Sequence, residues 1–408
     1  MSEPLAFDLP VAKTSTTRID LLSLDDEGLC KLVADMGEKP FRARQLFAWL
    51  HDKRVTSSAA MSDLSAALRA KLENTTMVAR PVVEDVRIAE DGTRKYQMKT
   101  YDGHIIESVW IPHASGPSHH ALCISSQVGC AMGCTFCATA ALKLTRHLSA
   151  GEIVGQVYAV LDDLAANLPA DPPLPPSKMR FRYDPEPEPS ADVDADDVAM
   201  GRPKRRIQNI VYMGMGEPLH NLDQVIRSIN LLTHDKGMGL SPRRITVSTS
   251  GVVSALARLG AETGVHLAIS LNATTNEVRK EIMPVTRKWS IEQLLEACRD
   301  FPAERRRRLT FEYVLLKDVN DSDVDARRLV QLLKPFDSKV NLIPFNAHPL
   351  AAFGRPDDDR VDSFRRILDN ARVSCFVRTT RGLDIDAACG MLGARKLEDA
   401  RKGALPVV

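Results

Sequence analysis

The chain has 408 residues, which is too long for one ordinary domain and suits two, or one large α/β domain with additions. Hydrophobic residues make up 44% and charged residues 26%, a globular balance that excludes disorder along the whole chain. The formal net charge is +1, so binding of nucleic acid would have to rely on a local basic patch.

The N-terminal part predicts a tail and a small helical domain. Residues 1–18 show little periodicity and are expected to form a flexible tail. From 19 to 78 leucines and phenylalanines recur at helical spacing. Basic residues lie along this region and favour a basic helical domain, although a solvated charged face is an equal alternative. They are Arg42, Arg44, Lys53 and Arg54.

No leader and no membrane span are found in the sequence. Residues 1–18 lack a charged and then apolar pattern, and no run of eighteen apolar residues occurs. These patterns predict a soluble protein located in the cytoplasm.

Residues 79–118 predict an antiparallel β linker. The runs Val82–Ile88 and Lys95–Thr100 flank an Asp-Gly turn and are typical of a β-hairpin. A third strand is expected at Ile105–Ile111.

Residues 119–395 alternate between strand-like and helical runs, which predicts six βα units and a parallel sheet. Periodicity leaves open whether this sheet is doubly wound or forms part of a barrel. In either case functional residues should follow the carboxyl ends of the strands. The predicted strands are Ala121–Ser125, Gln208–Met213, Arg244–Ser248, Val265–Ser270, Leu309–Leu315 and Lys339–Ile343, and the helices are Ala150–Leu168, Leu222–Leu232, Ser250–Leu259, Ile291–Phe301 and Asp323–Leu333.

One insertion interrupts the alternation. Residues 169–206 are rich in proline and acidic residues, show almost no apolar periodicity and end in a basic cluster. Proline cannot pair in a sheet ladder and like charges repel, so a disordered surface insertion is expected. Residues 396–408 are expected to form a C-terminal tail.

Three cysteines follow the first strand of the alternating region. Cys130, Cys134 and Cys137 have the spacing C-x3-C-x2-C at a strand end. Three thiolates suit a soft metal centre, and three ligands rather than four leave one metal position open. The alternatives are a zinc site completed by a histidine such as His147, or chance clustering.

The cysteine pattern, with Phe136 before its last cysteine, resembles the radical S-adenosylmethionine superfamily. Further motifs extend the resemblance to the RlmN family of dual-specificity RNA methyltransferases, from about Ile19 to Leu392 without the insertion. These motifs lie at 125–129, 213–218, 248–251, 270–272, 344–346 and 384–390.

The resemblance implies a fold and two cofactors. The fold is a partial (β/α)6 barrel with the small N-terminal helical domain and the β linker. One 4Fe–4S cluster is expected on Cys130, Cys134 and Cys137, and S-adenosylmethionine is expected to bind its fourth iron. The implied cofactor contacts are Gly216, Glu217, Ser248, Ser270, Leu271, Asn272 and Asn346.

The resemblance also implies the catalytic residues. Cys389 matches the methyl-carrying cysteine, and Cys123 matches the partner that releases the product and ends in a Cys123–Cys389 disulfide. Glu107 matches the proton acceptor. Without the resemblance, either cysteine would be read as a small buried hydrophobe and Glu107 as an exposed strand glutamate.

The implied reaction is methylation of adenine C2 in 23S rRNA and in the anticodon loop of tRNA, through a covalent protein–RNA intermediate, with a contribution to translation fidelity. An electron donor such as flavodoxin and a monomeric enzyme are expected. The four basic residues of the helical domain and the run Arg305–Arg308 are candidates for phosphate contacts.

Two other functions compete with this interpretation. A relative that methylates adenine C8 would carry the same cysteines, and the full N-terminal domain favours C2. A non-enzymatic iron–sulfur or zinc protein that binds RNA would need neither Gly216 and Glu217 nor Cys389.

Overall fold

The computed structural model describes residues 18–112, 120–167, 206–302 and 308–393. The two predicted tails and the insertion lie outside the described residues, apart from Arg18 and Arg206 at their margins. Of the basic run Arg305–Arg308, only Arg308 is described.

One ten-stranded sheet forms the centre of the described structure. Its strands stand side by side in the order in which they occur in the chain. The first four pair antiparallel, and the fourth to the tenth pair parallel. The strands are β1 (Val82–Ile88), β2 (Arg94–Lys99), β3 (Ile105–Ile111), β4 (Ala121–Cys123), β5 (Asn209–Tyr212), β6 (Ile245–Thr249), β7 (His266–Ser270), β8 (Leu309–Leu315), β9 (Ser338–Pro344) and β10 (Ser374–Val377).

The predicted β linker is continuous with the parallel sheet. Strand β3 pairs with β4 through Val109 and Cys123, and β4 pairs in turn with β5. The hairpin and its third strand therefore extend the same layer. Strand β3 therefore lies directly beside β4, the first parallel strand, and β2 lies one strand further out.

Helices connect the parallel strands, and local sequence signals set their ends. Ser290 and Ser322 each accept a backbone N–H three residues on and form a capping box. No helix in the described part of the chain is long and apolar enough to cross a membrane. The helices of this region are Ala138–Ala141, Ala150–Asn167, Leu222–Thr233, Val253–Thr263, Asn276–Ile282, Ile291–Arg299, Asp323–Leu333 and Asp358–Asn370.

The N-terminal domain is helical, as predicted. Its α-helices are Asp26–Asp35, Phe41–Phe47 and Ala66–Thr75. Its ends are held by a short parallel pair, residues 19–20 with 76–77, which periodicity did not predict because two residues carry no pattern.

The last parallel strand and its helix were not predicted. Strand β10 has four residues at the sheet edge and only one of them is buried, so its alternation is weak. The helix Asp358–Asn370 buries Val361, Phe364 and Leu368 among charged residues, which hides its apolar stripe. The parallel part of the sheet therefore has seven strands, one more than expected.

A buried histidine joins the N-terminal domain to the helix Ala150–Asn167. The His51 Nδ1 lies 3.0 Å from the Tyr158 hydroxyl, and the His51 ring is 4.4 Å from that of Phe47. Burial, with a smaller contribution from His234, lowers the pKa of His51 to about 3. The contact between the two parts therefore contains a histidine that is held neutral.

We predict that acid weakens this contact. Between pH 6.5 and about 3 the unfolded chain binds a proton on His51 that the folded chain does not, so stability falls as pH falls, by about 1.4 kcal/mol per pH unit at most. In His51→Gln the acid-side slope of the unfolding free energy, measured in urea at several pH values, should be flatter than in wild type. An unchanged slope would contradict the assignment.

Candidate active site

The three clustered cysteines lie on a loop whose ends are held together. Residues 127–128 pair antiparallel with residues 146–147, so the chain leaves the sheet after β4 and returns to the same place. Gly129 permits the entry to this loop, because it has a φ of +76° and a Cβ there would overlap the Lys143 carbonyl oxygen. The loop presents the cysteines beyond the carboxyl end of β4, as the strand pattern predicted.

These cysteines and the carboxyl ends of the next strands surround one cavity. The cavity contains about 950 Å³ of empty space, a figure that includes its open mouth. Most of the sequence-predicted site residues line it, but Cys123, Leu271 and Glu107 do not. Those lining it are Cys130, Cys134, Cys137, Gly216, Glu217, Ser248, Ser270, Asn272, Asn346 and Cys389.

The donor set of this loop fits an iron–sulfur cluster. Burial raises the pKa of all three thiols, and the two neighbouring thiols raise the pKa of Cys134 further, so the three lie close together. No three His, Cys, Asp or Glu side chains among the described residues are grouped to hold a metal ion. A 4Fe–4S cluster does not require its three cysteines to converge on a single metal ion, since each thiolate binds a different iron. His147, the candidate fourth zinc ligand, instead has its Nδ1 2.9 Å from Gln127 Nε2.

Gly216 and Glu217 follow β5 and form one side of the cavity. The Glu217 carboxylate is buried and accepts hydrogen bonds from Ser250 N at 2.8 Å and Ser250 Oγ at 2.7 Å. Its backbone N–H donates to Gln127 Oε1 at 2.8 Å. Gly216 has a φ of +103°, and a Cβ there would lie 2.5 Å from Gln127 Cβ. The backbone thus passes the cysteine loop as closely as glycine allows, and a fixed carboxylate faces the cavity.

The ends of β6, β7 and β8 add hydroxyl and carboxylate groups. Ser248 Oγ lies 3.5 Å from Ser270 Oγ and donates to Glu312 Oε2 at 3.3 Å. Glu312 is buried and lines the cavity. Glu312 was not predicted from the sequence, although a carboxylate in the middle of the apolar run Leu309–Leu315 indicates a functional residue.

Asn272 is held in a left-handed conformation with a φ of +56°, which asparagine tolerates better than most residues. Its side-chain oxygen accepts from Val314 N at 2.8 Å, so the amide ties two strand ends together. Leu271 is fully buried away from the cavity, and its carbonyl accepts from Arg279 Nε at 2.9 Å. Leu271 can therefore contribute to the site only through its main chain.

Arg279 is a second residue of the site that was not predicted from the sequence. It is fully buried and donates to the Ser250 carbonyl at 2.6 Å and to Thr286 Oγ1 at 2.9 Å. Burial lowers the pKa of Arg279 to about 10, while the nearby Cys134 opposes that change. A buried cation thus lies next to the cysteine loop and fixes the end of β6.

The distant Cys389 reaches the cavity from the C-terminal segment. Asn346 Nδ2 donates to the Cys389 carbonyl at 3.2 Å, and Thr380 Oγ1 donates to Asn346 Oδ1 at 2.9 Å. The Gly390 carbonyl accepts from Ala138 N at 2.8 Å. Cys389 is exposed and lines the cavity.

Cys123 and Cys389 lie close enough to influence one another. Burial raises the pKa of Cys123, and the Cys389 thiol raises it further. Desolvation by the surrounding protein also raises the pKa of Cys389, and the charge of Arg378, with a hydrogen bond from it, opposes that rise. All eight cysteines are free in the described structure. Two thiols more than 260 positions apart thus share one environment with a cation that favours their thiolates.

Glu107 lies beneath the C-terminal segment. Its Oε1 is 3.2 Å from Lys95 Nζ and accepts from Gln97 Nε2 at 3.3 Å, and its Oε2 accepts from Gly393 N at 2.8 Å. The side chain is almost fully buried. Glu107 is therefore not the exposed strand glutamate of the alternative interpretation, because the C-terminal segment covers it.

The basic residues of the helical domain have different settings. Arg42 stacks on the exposed Phe41 ring and Lys53 on Trp49. Arg54 instead pairs with Asp162 at 3.0 Å. Arg44 is exposed. Arg42 is also half-buried, with its Nη1 donating to Gln45 Oε1 at 2.8 Å and its Nε 3.8 Å from Glu38, so only Arg44 and Lys53 of the four are exposed.

Comparison with known proteins gives two matching family models. The ribosomal RNA large subunit methyltransferase N-terminal domain matches residues 19–78, and the radical SAM superfamily matches residues 124–330.

Relatives match over nearly the whole chain. A dual-specificity RNA methyltransferase RlmN of Geobacter sulfurreducens is 44% identical over 92% of this chain and 92% of its own. An RlmN 2 of Myxococcus xanthus is 42% identical over 97% of each. The crystal structure of a radical SAM methyltransferase from Sphaerobacter thermophilus aligns with a TM-score of 0.77 and 38% identity, over 92% of this chain and 99% of that one.

We predict that Gly216→Ala blocks the cofactor side of the cavity. The new Cβ would overlap Gln127 at a backbone angle that alanine rarely adopts, so Glu217 should shift. Affinity for S-adenosylmethionine should fall at least about tenfold by equilibrium binding. Gly354→Ala is the control, because a Cβ there makes only ordinary contact with Lys317. Equal affinity in the two variants would contradict the prediction.

Proposed function

The chain belongs to the RlmN family of radical S-adenosylmethionine methyltransferases, and we propose that it methylates adenine C2 in 23S rRNA and in tRNA. A single observation carries the proposal. Cys389 opens into the same cavity as the three cluster cysteines, with Cys123 beside it. A structural iron–sulfur or zinc protein that only binds RNA has no use for this second pair of thiols.

The target carbon explains why such a cavity is required. Adenine C2 lies between two ring nitrogens and is poor in electrons, so polar transfer from a methyl sulfonium to it is mismatched. When bound, the 4Fe–4S cluster and S-adenosylmethionine supply a methyl group and a 5′-deoxyadenosyl radical. The protein must then bring a methyl carrier, the cofactor and an extruded adenine together away from water.

Cys389 is proposed as the methyl carrier. A cysteine attacks a sulfonium methyl as its thiolate, and the charge of Arg378 and its hydrogen bond to Cys389 favour that form. The methylated side chain, once it has lost a hydrogen atom, adds to C2 and joins enzyme and RNA covalently.

Cys123 is proposed to release the product. The bond between the Cys389 sulfur and the methylene carbon must break, and a thiolate that attacks this sulfur leaves a Cys123–Cys389 disulfide. Glu107 is proposed as the acceptor of the C2 proton. Its Oε2 accepts a hydrogen bond from Gly393 N, and this one contact would have to open for Glu107 to take the proton.

The cofactor site is proposed on the strand ends. Glu217 would pair with the methionyl ammonium, and Gly216 would allow its close approach. Ser248, Ser270, Asn272 and Asn346 offer hydrogen bonds to the ribose, carboxylate and adenine of S-adenosylmethionine, and Leu271 offers its main chain. Cys130, Cys134 and Cys137 would hold the cluster.

The RNA contacts, the electron donor, the oligomeric state and the location are proposed from the chemistry of the reaction. The exposed cations of the helical domain, Arg44 and Lys53, suit RNA phosphates, with the half-buried Arg42 beside them. An electron donor such as flavodoxin is needed to reduce the cluster. We propose that the enzyme acts as a monomer in the cytoplasm, where rRNA and tRNA are found. Nucleoside analysis of RNA from cells with and without the protein tests the position, since 2-methyladenosine supports the proposal and 8-methyladenosine overturns it.

We predict that the cluster cysteines act as a unit. Replacing Cys130, Cys134 or Cys137 by alanine leaves one iron without a protein ligand. Each variant should lose the brown absorbance of the reconstituted protein and all cleavage of S-adenosylmethionine. Cys298→Ala, a buried cysteine in the helix Ile291–Arg299, is the matched control and should keep both. A triad variant with full activity would refute the cluster assignment.

We predict opposite failures for the two remaining cysteines. Cys389→Ala should stop the reaction before any bond to RNA forms, with the cluster intact. Cys123→Ala should still form the bond but not release it, so a covalent protein–RNA species should accumulate on a denaturing gel. The species should vanish in the double variant, as expected for residues that act in sequence on one intermediate. Normal turnover by Cys123→Ala, or an adduct that survives loss of Cys389, would show the assigned roles to be wrong.

A further inference from the structure

The segment 382–393, which carries Cys389, has little regular structure. It contains one 3-10 turn, Leu383–Ile385, and Asp386 adopts a φ of +56°, which residues other than glycine rarely occupy. Buried backbone groups of such a segment must find hydrogen-bond partners elsewhere in the protein. The position of Cys389 therefore depends on what its neighbours bind.

A buried ion pair on β2 and β3 binds the segment on both sides of Cys389. Lys95 Nζ lies 3.2 Å from Glu107 Oε1 and donates to the Asp386 carbonyl at 3.0 Å. Glu107 Oε2 accepts from Gly393 N at 2.8 Å. The pair thus contacts the chain three residues before Cys389 and four residues after it.

The pair is too buried to be explained by stability alone. The Lys95 and Glu107 side chains are 0% and 4% exposed, and a buried ion pair is often no more stabilising than apolar side chains of the same size. Apolar side chains, however, could not hydrogen-bond to a backbone carbonyl and a backbone N–H. Through these two hydrogen bonds the ion pair holds the segment 382–393 in one position.

The other side of the segment is held by the cysteine loop and by β9. The Ala138 N–H donates to the Gly390 carbonyl at 2.8 Å, and Thr139 Oγ1 donates to the Leu392 carbonyl at 2.8 Å. Asn346 Nδ2 binds the Cys389 carbonyl. The segment is thus clamped between two walls, the cysteine loop with β9 on one side and the antiparallel strands β2 and β3 on the other. Without the contacts of either wall, Cys389 would be free to move.

We propose that Lys95, with Glu107 as its partner, is a positioning residue that holds Cys389 against Cys123 in the cavity. The inference rests on the proposed function only for what Cys389 does there. It gives the antiparallel strands a part in the reaction, since they supply one wall of the clamp.

The test measures thiol chemistry rather than methylation. The anaerobically purified, cluster-containing enzyme is treated with oxidised glutathione, which accepts the two electrons released when Cys123 and Cys389 form a disulfide. A second sample is alkylated with iodoacetamide, and peptide mass spectrometry follows both reactions at each cysteine. In Lys95→Met, disulfide formation should slow and alkylation of Cys389 should quicken, each about tenfold, because the thiol is no longer held beside its partner.

Lys99→Met is the matched control. Lys99 lies on the same strand and pairs with Glu84 at 3.0 Å, but that pair is exposed at the surface. The control should behave as wild type in both reactions. If Lys95→Met also behaves as wild type, or Lys99→Met shows the same changes, the proposal is overturned.

A general loss of structure is distinguished by Cys298, which is buried, and Cys375, which is half-buried. If Cys298 and Cys375 become as reactive as Cys389 in Lys95→Met, the lone Glu107 carboxylate has unfolded the protein, and the double variant Lys95→Met with Glu107→Leu decides the matter. It leaves no unpaired charge and should still show slow disulfide formation. Wild-type rates in that variant would overturn the proposal. Because RNA is absent from these assays, failure of the proposed methylation and failure of the clamp give separate results.

Discussion

Parallel pairing in chain order is the constraint on which the rest of this structure depends. Every strand from β4 to β9 ends at the same edge of the sheet, so residues that follow these strands meet although they lie far apart in sequence. The cysteine loop, Glu217, Ser248, Ser270 and Asn346 come together for this one reason. The helices between the strands serve mainly to return the chain to the other edge.

The cavity formed there imposes a second constraint, on charge. The surrounding protein raises the pKa of the four thiols that line it and of Cys123 nearby, and each thiol must act as a thiolate to bind iron or to attack sulfur or carbon. Cations that favour the thiolates are therefore part of the site. Arg378 lies beside Cys123 and Cys389, and Arg279 lies beside Cys134. The proposed chemistry thus depends on two arginines that belong to no cysteine motif.

The C-terminal segment connects the two halves of the sheet. It leaves the last parallel strand, passes over the cysteine loop and rests on β2 and β3. The antiparallel strands, which look like a linker in the sequence, form the floor beneath Cys389. That arrangement explains why a lysine and a glutamate are buried there instead of the apolar residues that an inward-facing strand position normally holds.

The sequence by itself determined most of the fold. Long apolar runs and helix caps are local signals, so β8 and the helix Asp323–Leu333 were predicted to the residue, while the edge strand β10 was too short and too exposed to leave a pattern. The cysteine spacing indicated a metal centre, and the motif likeness indicated its chemistry.

Only the tertiary structure decided which side chains share the site. Glu312 and Arg279 line or brace it from strand and helix positions that look structural, and Asn346 is engaged with the Cys389 carbonyl. The pairing of Lys95 with Glu107, and of both with residues some 290 positions away, could not be read from the chain. Local sequence encodes backbone preference and burial, whereas contacts between distant segments arise only once the sheet has brought their strand ends together.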